Sequence, residues 1–318
     1  MLTIFTNPDY DFIGRRRWAY AVSVALMLVA LGSIVVKGGL QYDIDFTGGT
    51  LIEVRMPQAV SVGTIRARLA AVGLGHSLIQ EFGDSRDFLI RTQVAATNPA
   101  ELSQRVRNAL ALDQGSAPEL RRVEFVGPQI GHDLRQQALY AVLAALGGIL
   151  LYIWLRFDLR GGVATIVSVG HDVLICLGAL SLTNREFSLS VLAGLLTVIG
   201  FAVNDRIVMY DRLREIRAKK MVKGVTFAEQ VNLAVNQTLS RTVLTVATVV
   251  LSAAMLFLFG GASLENFALV VLVGAITGPL STVYVAAALD VDWRTWITRR
   301  RAPRGGAPVR GGRRVARP

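Results

Sequence analysis

The chain has 318 residues, of which 52% are hydrophobic and 18% charged, and its formal net charge is +11. The apolar residues occur in long blocks, which excludes an ordinary soluble globular protein and indicates a membrane protein. The single cysteine, Cys176, excludes a disulfide framework within the chain, and no Cys and His residues have the spacing of a zinc site.

Six apolar blocks each approach the roughly 20 residues that a transmembrane helix needs. They are residues 18–36, 138–155, 161–184, 187–210, 242–264 and 266–289. The first follows three arginines, as a secretory signal does, but it is long for a signal and five spans follow it, so we interpret it as a retained anchor. The predicted fold is a polytopic α-helical membrane protein with six transmembrane helices, the first at 18–37 and the others in a bundle at 137–292.

The distribution of Lys and Arg predicts the orientation of these helices. Basic residues are concentrated at 15–17, 156–160, 212–223 and 294–317, whereas the short connections on the opposite side carry only Arg185. Because positive groups are retained in the cytoplasm, both termini are predicted to be cytoplasmic. Residues 1–17 are then a cytoplasmic N-terminus, and 293–318 are a basic cytoplasmic tail that we expect to be disordered.

Two basic regions are expected at the cytoplasmic membrane surface. The tail is interpreted as an orientation device that binds anionic lipids, and a partner such as ribosomal RNA is the alternative. The net charge by itself requires no specific nucleic acid. Near 212–238, a basic helical extension precedes a second helix whose start, Thr226 to Glu229, has capping-box spacing. Its apolar face predicts an amphipathic segment lying along the membrane.

The long connection between the first two spans, residues 38–136, predicts a small α+β domain on the periplasmic side. Its segments alternate between strand-like and helix-like periodicity in the order βαββαβ, which is a ferredoxin-like arrangement. A glycine pair, Gly48 and Gly49, interrupts the first strand region. We interpret it as a turn with positive φ, and direct contact with a substrate is the alternative.

Polar residues recur at helical spacing within the apolar spans, where charged groups are costly and usually mark a pathway or a partner. The fourth span contains the consecutive residues Asn204, Asp205 and Arg206. Four small or polar stripes are found in the third to sixth spans: Thr165, Ser168, Asp172 and Cys176, with His171 beside them; Ala193, Thr197, Gly200 and Asn204; Thr238, Arg241, Thr245, Thr248 and Ser252; and Gly274 and Gly278, followed by Ser281 and Thr282.

These stripes predict a partly hydrated bundle interior that contains Asp172, Asp205 and Arg241. Burial favours the neutral form of Asp205 and a nearby Arg241 favours the ionised form, so a conformational change that moves the arginine can load and release a proton. The alternatives are that Arg241 reaches the headgroups, that Asp205 belongs to a static ion pair with Arg206 or Arg241, and that His171 and Asp172 only form hydrogen bonds between helices.

The sequence contains no Gly-rich phosphate loop of the Walker type and no nucleophile elbow. It therefore predicts neither an enzyme nor a cofactor. Work done by this protein would draw on an ion gradient, which supplies about 2.3 kcal/mol per elementary charge per 100 mV.

Five motifs, in order along the chain, resemble the SecD/SecF family of protein-export membrane proteins. They are "DFTGGT" at 45–50, "VGPQIGHDL" at 126–134, "HDV" at 171–173, "IGFAVNDRIVMYDRLRE" at 199–215 and "NQTLSRT" at 236–242. The first gives Asp45, Gly48 and Gly49 as a signature turn. The resemblance extends to Trp293 and includes six spans, as in the smaller members of the family.

The resemblance implies a subunit of the bacterial inner membrane, similar to the resistance, nodulation and division (RND) superfamily. It implies a heterodimer with SecD, association with the SecYEG channel, and an unfolded translocating polypeptide as substrate, with YajC and YidC as further candidate partners. Proton-path residues of the family match Asp205 and Arg241, and SecD would supply a second carboxylate. Arg206 departs from the family pattern, in which a small neutral residue is expected. A cation there favours the ionised form of Asp205 unless its side chain reaches toward the cytoplasm.

Three functions are compatible with these observations. The first is an auxiliary translocon subunit that couples the proton motive force to late steps of polypeptide export. The second is a structural scaffold of the translocon without proton transport. The third is one half of a small-molecule exporter of the RND type, which the small loop domain disfavours.

Overall fold

The structure is a computed structural model that describes residues 5, 8–82, 84–92, 99–111, 117–156, 159–218 and 224–301. The first part comprises α1 (Arg16–Val36), α2 (Ile44–Thr47), β1 (Gly49–Arg55), α3 (Val62–Ala70), β2 (Leu78–Phe82), β3 (Asp84–Thr92), α4 (Pro99–Leu110) and β4 (Glu119–Val126). The second comprises α5 (Pro128–Arg156), α6 (Leu159–Leu182), α7 (Leu189–Ala218), α8 (Phe227–Phe259), α9 (Ala262–Ser281), a π-helical segment (Thr282–Ala287) and α10 (Ala288–Arg301).

Six of the described helices are long and apolar enough to cross a membrane. They correspond to α1, α5, α6, α7, α8 and the continuous helix from α9 into α10. The predicted six-helix membrane protein is therefore confirmed at this level. Between α1 and α5 lies a small antiparallel sheet with two covering helices, as the change of periodicity indicated.

The sheet has the strand order β2-β3-β1-β4 and all its pairs are antiparallel. Ile52 in the central strand β1 lies opposite Ile90 of β3 and Val123 of β4. One face of the sheet packs against α3 and α4, where Ile65 and Val106 are fully buried. The alternation of apolar residues along β1 thus gives the four strands with α3 and α4, called the sheet unit below, a core of their own.

The glycine pair forms the entry into β1. Gly48 and Gly49 have φ of 72° and 136°, which side-chain-bearing residues rarely adopt. A Cβ atom on Gly49 would lie 2.5 Å from the carbonyl oxygen of Thr92 on β3. Backbone geometry is therefore a sufficient reason for glycine at this turn.

In the helical part, α7 is buried along much of its length and packs against α6, α8 and α9. Small residues allow the close approaches: a Cβ atom on Gly274 of α9 would lie 2.4 Å from methyl groups of Val198, and one on Gly178 of α6 would lie 2.2 Å from the Cβ of Ala30 on α1. The first contact packs α7 closely against α9, and the second packs α6 closely against α1.

The region near 212–238 differs from the predicted surface-lying segment. Residues 219–223 lie outside the described part, and Phe227 begins α8, a continuous helix to Phe259 that includes the fifth span. The predicted capping box is present at Thr226 and Glu229. The apolar face of this first part of α8, Val231, Ala234 and Val235, packs on Met209, Leu213 and Ile216 of α7. That face is covered by protein, so the helix has no need of a lipid surface.

The predicted disordered tail also requires correction. Helix α10 continues to Arg301, well past residue 293. Arg294 pairs with Asp290 one turn earlier at 2.9 Å, and its guanidinium lies 4.4 Å from the ring centroid of Phe227. These contacts extend the helix. The rest of the predicted tail, 302–318, lies outside the described residues.

Candidate functional site

Asp205 and Arg206 are consecutive on α7, so their side chains leave the helix roughly 100° apart. Asp205 is partly buried and its Oδ1 accepts a hydrogen bond from the Thr242 hydroxyl of α8 at 2.7 Å. Thr282, the first residue of the π-helical segment, lies beside the same carboxyl group. The carboxyl of Asp205 is therefore surrounded by hydroxyl groups from two other elements.

Arg206 points in a different direction and is 1% exposed. Its Nη2 donates to Ser168 Oγ at 2.6 Å, Asp172 Oδ2 at 2.7 Å and Ser281 Oγ at 2.8 Å. The arginine thus joins α7 to α6 and α9 through a buried ion pair. A buried charge is tolerated when it is paired and hydrogen-bonded in this way.

Asp172 receives two further contacts. Ser281 donates its hydroxyl to Asp172 Oδ2 at 2.8 Å, and His171 Nδ1 lies 3.1 Å from Asp172 Oδ1. The side chains of Asp172 and His171 are only 2% and 6% exposed. The structure brings these two predicted site residues together with Arg206, which the sequence interpretation had directed toward the cytoplasm or toward Asp205.

Arg241 and Asn204 are both exposed. Arg241 makes no ion pair within 4 Å of a carboxylate in the described part of the chain, so it acts on the Asp205 carboxyl only through the longer-range attraction of its charge. Its neighbour Thr242 makes the direct contact with Asp205 instead. Sequence reasoning missed Thr242, although the residue lies in the same "NQTLSRT" motif.

The polar stripes divide into two groups. The stripe of α6 and the stripe of Gly274, Gly278, Ser281 and Thr282 are buried, as predicted for a bundle interior. The stripes of α7 and α8 are exposed on this chain, and their hydroxyl residues donate to carbonyl groups of their own helices one turn earlier. The exposed members are Ala193, Thr197, Gly200 and Asn204 on α7, and Arg241, Thr245, Thr248 and Ser252 on α8. The described helices of this chain leave that face uncovered, and the predicted interior that contains Asp205 and Arg241 stays a prediction.

Asp45, of the signature turn, lies at the other end of α7. Its Oδ2 accepts a hydrogen bond from the backbone N–H of Leu189 at 2.9 Å. Leu189 is the first residue of α7 and precedes Asp205 on the same helix by roughly 24 Å at the standard helical rise. Among the described residues, no group of three His, Cys, Asp or Glu side chains is arranged to hold a metal ion.

Comparison with known proteins decides the family. The family model described as "Protein export membrane protein SecD/SecF, C-terminal" matches residues 107–296. The chain belongs to the SecD/SecF family. It is a bacterial membrane protein of protein export, as its motifs predict.

Individual relatives support this assignment. "Protein translocase subunit SecF" of Desulfurispirillum indicum is 42% identical over 287 residues, which are 89% of this chain and 91% of the relative. The protein of the same name from Pseudomonas aeruginosa is 40% identical over 277 residues, covering 87% and 89% of the two chains.

Solved structures of SecDF give the same result. The crystal structure of SecDF, a translocon-associated membrane protein from Thermus thermophilus, superposes with a TM-score of 0.80 at 39% identity, covering 91% of this chain and 39% of that one. A SecDF structure in a super-membrane-facing form gives a TM-score of 0.68 at 37% identity, with coverage of 95% and 41%. This chain thus spans about two fifths of those longer SecDF chains.

Proposed function

We propose that this chain is an auxiliary subunit of the Sec translocon that acts with SecD to couple the proton motive force to late steps of polypeptide export. The observation that carries the proposal is the environment of Asp205. Its carboxyl group lies within the membrane bundle and accepts a hydrogen bond from the hydroxyl of Thr242. The adjacent Arg206 is paired with Asp172 and not with Asp205. A carboxyl group without a fixed cationic partner can exchange a proton.

The partner supplies the remainder of the site. The exposed stripes of α7 and α8 are poor surfaces for lipid, because they present polar and small groups where hydrocarbon is expected. A SecD chain packed on this face would enclose Asp205 and bring Arg241 and Asn204 into a shared interior. The length relation to the SecDF chains supports such a partner.

We infer the orientation from the basic residues. Both termini are cytoplasmic, and the sheet unit between α1 and α5 is a periplasmic domain of ferredoxin-like arrangement, compatible with the strand order β2-β3-β1-β4. The SecYEG channel, with YajC and YidC as additional partners, would present the unfolded polypeptide to this domain. The basic cytoplasmic segments would contact anionic lipids.

The test is gradient-dependent export in membrane vesicles that contain this chain and SecD, with equal assembly of each variant verified. Asp205→Asn should abolish the gradient-dependent part of export and preserve the gradient-independent part. Thr242→Val, which removes the hydroxyl donor at nearly constant volume, should change the pH dependence of the gradient-dependent part.

Asp211→Asn is the matched control. Asp211 is also on α7, but its side chain is 42% exposed and accepts from Arg156 Nη2 at 2.6 Å, so its replacement should leave export unchanged. If vesicles with Asp205→Asn showed the same gradient-dependent export as those with the native chain, Asp205 would have only a structural role. The buried Arg206–Asp172 pair would then favour the second candidate function, a structural scaffold of the translocon.

A further inference from the structure

The sheet unit is attached to the helical part at the connection between α6 and α7. The backbone N–H of Asp43 donates to the carbonyl of Phe187 at 3.0 Å, and the N–H of Phe187 donates to the carbonyl of Gln41 at 2.7 Å. Tyr42 and Phe187 thereby form a parallel bridge, and their rings make an edge contact with centroids 5.9 Å apart. The segment before α2 is therefore paired with the residues that precede α7.

Asp45 extends this attachment onto α7 itself. The first N–H groups of a helix have no partner within it and carry partial positive charge, so a carboxylate there is stabilising. Local residues normally provide the cap, and Ser188 Oγ does accept from Val191 N–H at 3.3 Å. The N–H of Leu189 instead donates a hydrogen bond to Oδ2 of Asp45, which belongs to the segment leading into the sheet.

A buried ion pair adds a second connection. Arg91, near the end of β3, contacts Asp43, with Nε 3.3 Å from Oδ1, and also pairs with Glu186. The side chain of Glu186 is 3% exposed and those of Arg91 and Asp43 are 13% and 14% exposed. Because these charged side chains are buried, moving the sheet unit away from the α6–α7 connection would leave a buried charge unpaired. The ion pairs therefore fix the position of the sheet unit at this connection.

We propose that Asp45, together with the Arg91–Glu186 pair, is a positioning contact that transmits movement of α7 to the sheet unit. The contact is made at the first turn of the helix that also carries Asp205, and a continuous helix transmits displacement along its axis. This inference rests on the proposed function, because it assigns the route by which a change at Asp205 reaches the domain that would meet the polypeptide.

The first measurement is the docking of the sheet unit, independent of export. Spin labels at Ser85→Cys on β3 and Thr183→Cys at the end of α6, both exposed positions, report the distance between the two parts in a Cys176→Ser background. Asp45→Ala should raise the undocked population about fivefold, the ratio that corresponds to ~1 kcal/mol for a lost helix cap. Asp84→Ala, the same change at a residue whose ion pairs with Arg55 and Arg86 lie within the sheet unit, should leave the distance distribution unchanged.

The second measurement is export in vesicles with SecD. Asp45→Ala should lose the gradient-dependent part and keep the gradient-independent part, and Asp45→Asn, which retains an acceptor oxygen, should keep most of both. A disulfide between Tyr42→Cys and Phe187→Cys, at the bridged positions, should restore gradient dependence to Asp45→Ala by joining the two segments again.

The outcomes separate the two proposals. Normal docking in Asp45→Ala, or loosened docking with native gradient-dependent export, overturns the transmitting role of Asp45 and leaves the proton site intact. Native export in Asp205→Asn overturns the proposed function whatever Asp45 does. Loss of gradient dependence in both variants, with rescue of Asp45→Ala by the disulfide, supports the transmitting contact.

Discussion

Arg206 and Asp172 form an ion pair at 2.7 Å in which the two side chains are 1% and 2% exposed. Arginine keeps its charge at every accessible pH, so Asp172 has a permanent cationic partner in this conformation. That arrangement favours a structural role for Asp172, between α6 and α7, and agrees with the proposal that Asp205 is the carboxyl group that exchanges protons. The cation next to Asp205 in sequence therefore compensates a different carboxylate in space.

Breaking this pair from one side should be severely destabilising. Arg206→Met leaves Asp172 buried without its cation, and the expected loss is about 3 to 5 kcal/mol of unfolding free energy. The double variant Arg206→Met with Asp172→Leu should recover most of that loss, since neither charge remains. Thermal unfolding of the purified protein in detergent measures both. Equal instability of the single and double variants would contradict a charge-pairing role.

Arg156→Met provides the reference for an exposed pair. Arg156 Nη2 and Asp211 Oδ1 lie 2.6 Å apart, but the two side chains are 35% and 42% exposed, so water screens their interaction. The expected loss is at most about 1 kcal/mol. A loss as large as that of Arg206→Met would indicate a general need for arginine in the bundle.

Gly49 should be intolerant of any side chain. Gly49→Ala would place Cβ 2.5 Å from the Thr92 carbonyl oxygen at a φ of 136°, at the start of the β1–β3 pairing. A residue forced into such a backbone conformation costs on the order of 1 to 3 kcal/mol. Hydrogen exchange of the β1 amides should accelerate accordingly. Gly127→Ala, where nothing lies within 4 Å of the new Cβ, should leave exchange unchanged.

The sequence was sufficient for features set by local pattern. Long apolar blocks identify the six helices because lipid requires length and hydropathy, whichever neighbours surround them. The strands and helices of the loop region follow from periodicity in the same way, and the glycine pair indicates a turn because of its backbone freedom.

Features that depend on which helices meet were not accessible from the sequence. In the sequence the nearest carboxylate to Arg206 is Asp205, yet its partners in the structure, Asp172 and Ser281, belong to α6 and α9. The helical spacing of Arg241 placed it near Asp205, but Thr242, one residue later on α8, makes the contact. A stripe also looks the same in sequence whether it faces the chain's own bundle or a partner, so the exposure of Thr248 required the structure.

Asp43 should make the attachment of the sheet unit sensitive to pH. Burial raises the pKa of Asp43 above its ordinary value, and the nearby Arg91 offsets this only in part, while Asp45 and Glu124 act in the same direction as burial. A carboxyl group whose pKa is raised in the folded protein contributes stability below its unfolded pKa, and that contribution is lost as the pH rises through the folded pKa.

Asp43→Asn removes the cost of ionising this group and leaves Arg91 paired with Glu186. It also keeps an oxygen that can accept from the Ile44 N–H, as Asp43 Oδ1 does at 2.6 Å. We expect the variant to be at least as stable as the native protein near neutral pH and to vary less in stability between mildly acidic and neutral buffers. Melting profiles at several pH values test both expectations. Clear destabilisation at neutral pH would mean that the pair with Arg91 outweighs burial.

The exposed stripe of α7 should contribute to binding of SecD through close packing. Gly200 is exposed and nothing lies within 4 Å of a Cβ built on it, so the Cβ of Gly200→Leu meets no atom of this chain and the substitution is expected to act on a partner. A bulky group between closely packed membrane helices should weaken the complex on the order of tenfold, or ~1.4 kcal/mol. Gly32→Leu, at an equally open position on α1, should leave binding unchanged. Titration of labelled SecD into vesicles gives both affinities, and equal binding by native and Gly200→Leu chains would exclude this face as the SecD contact.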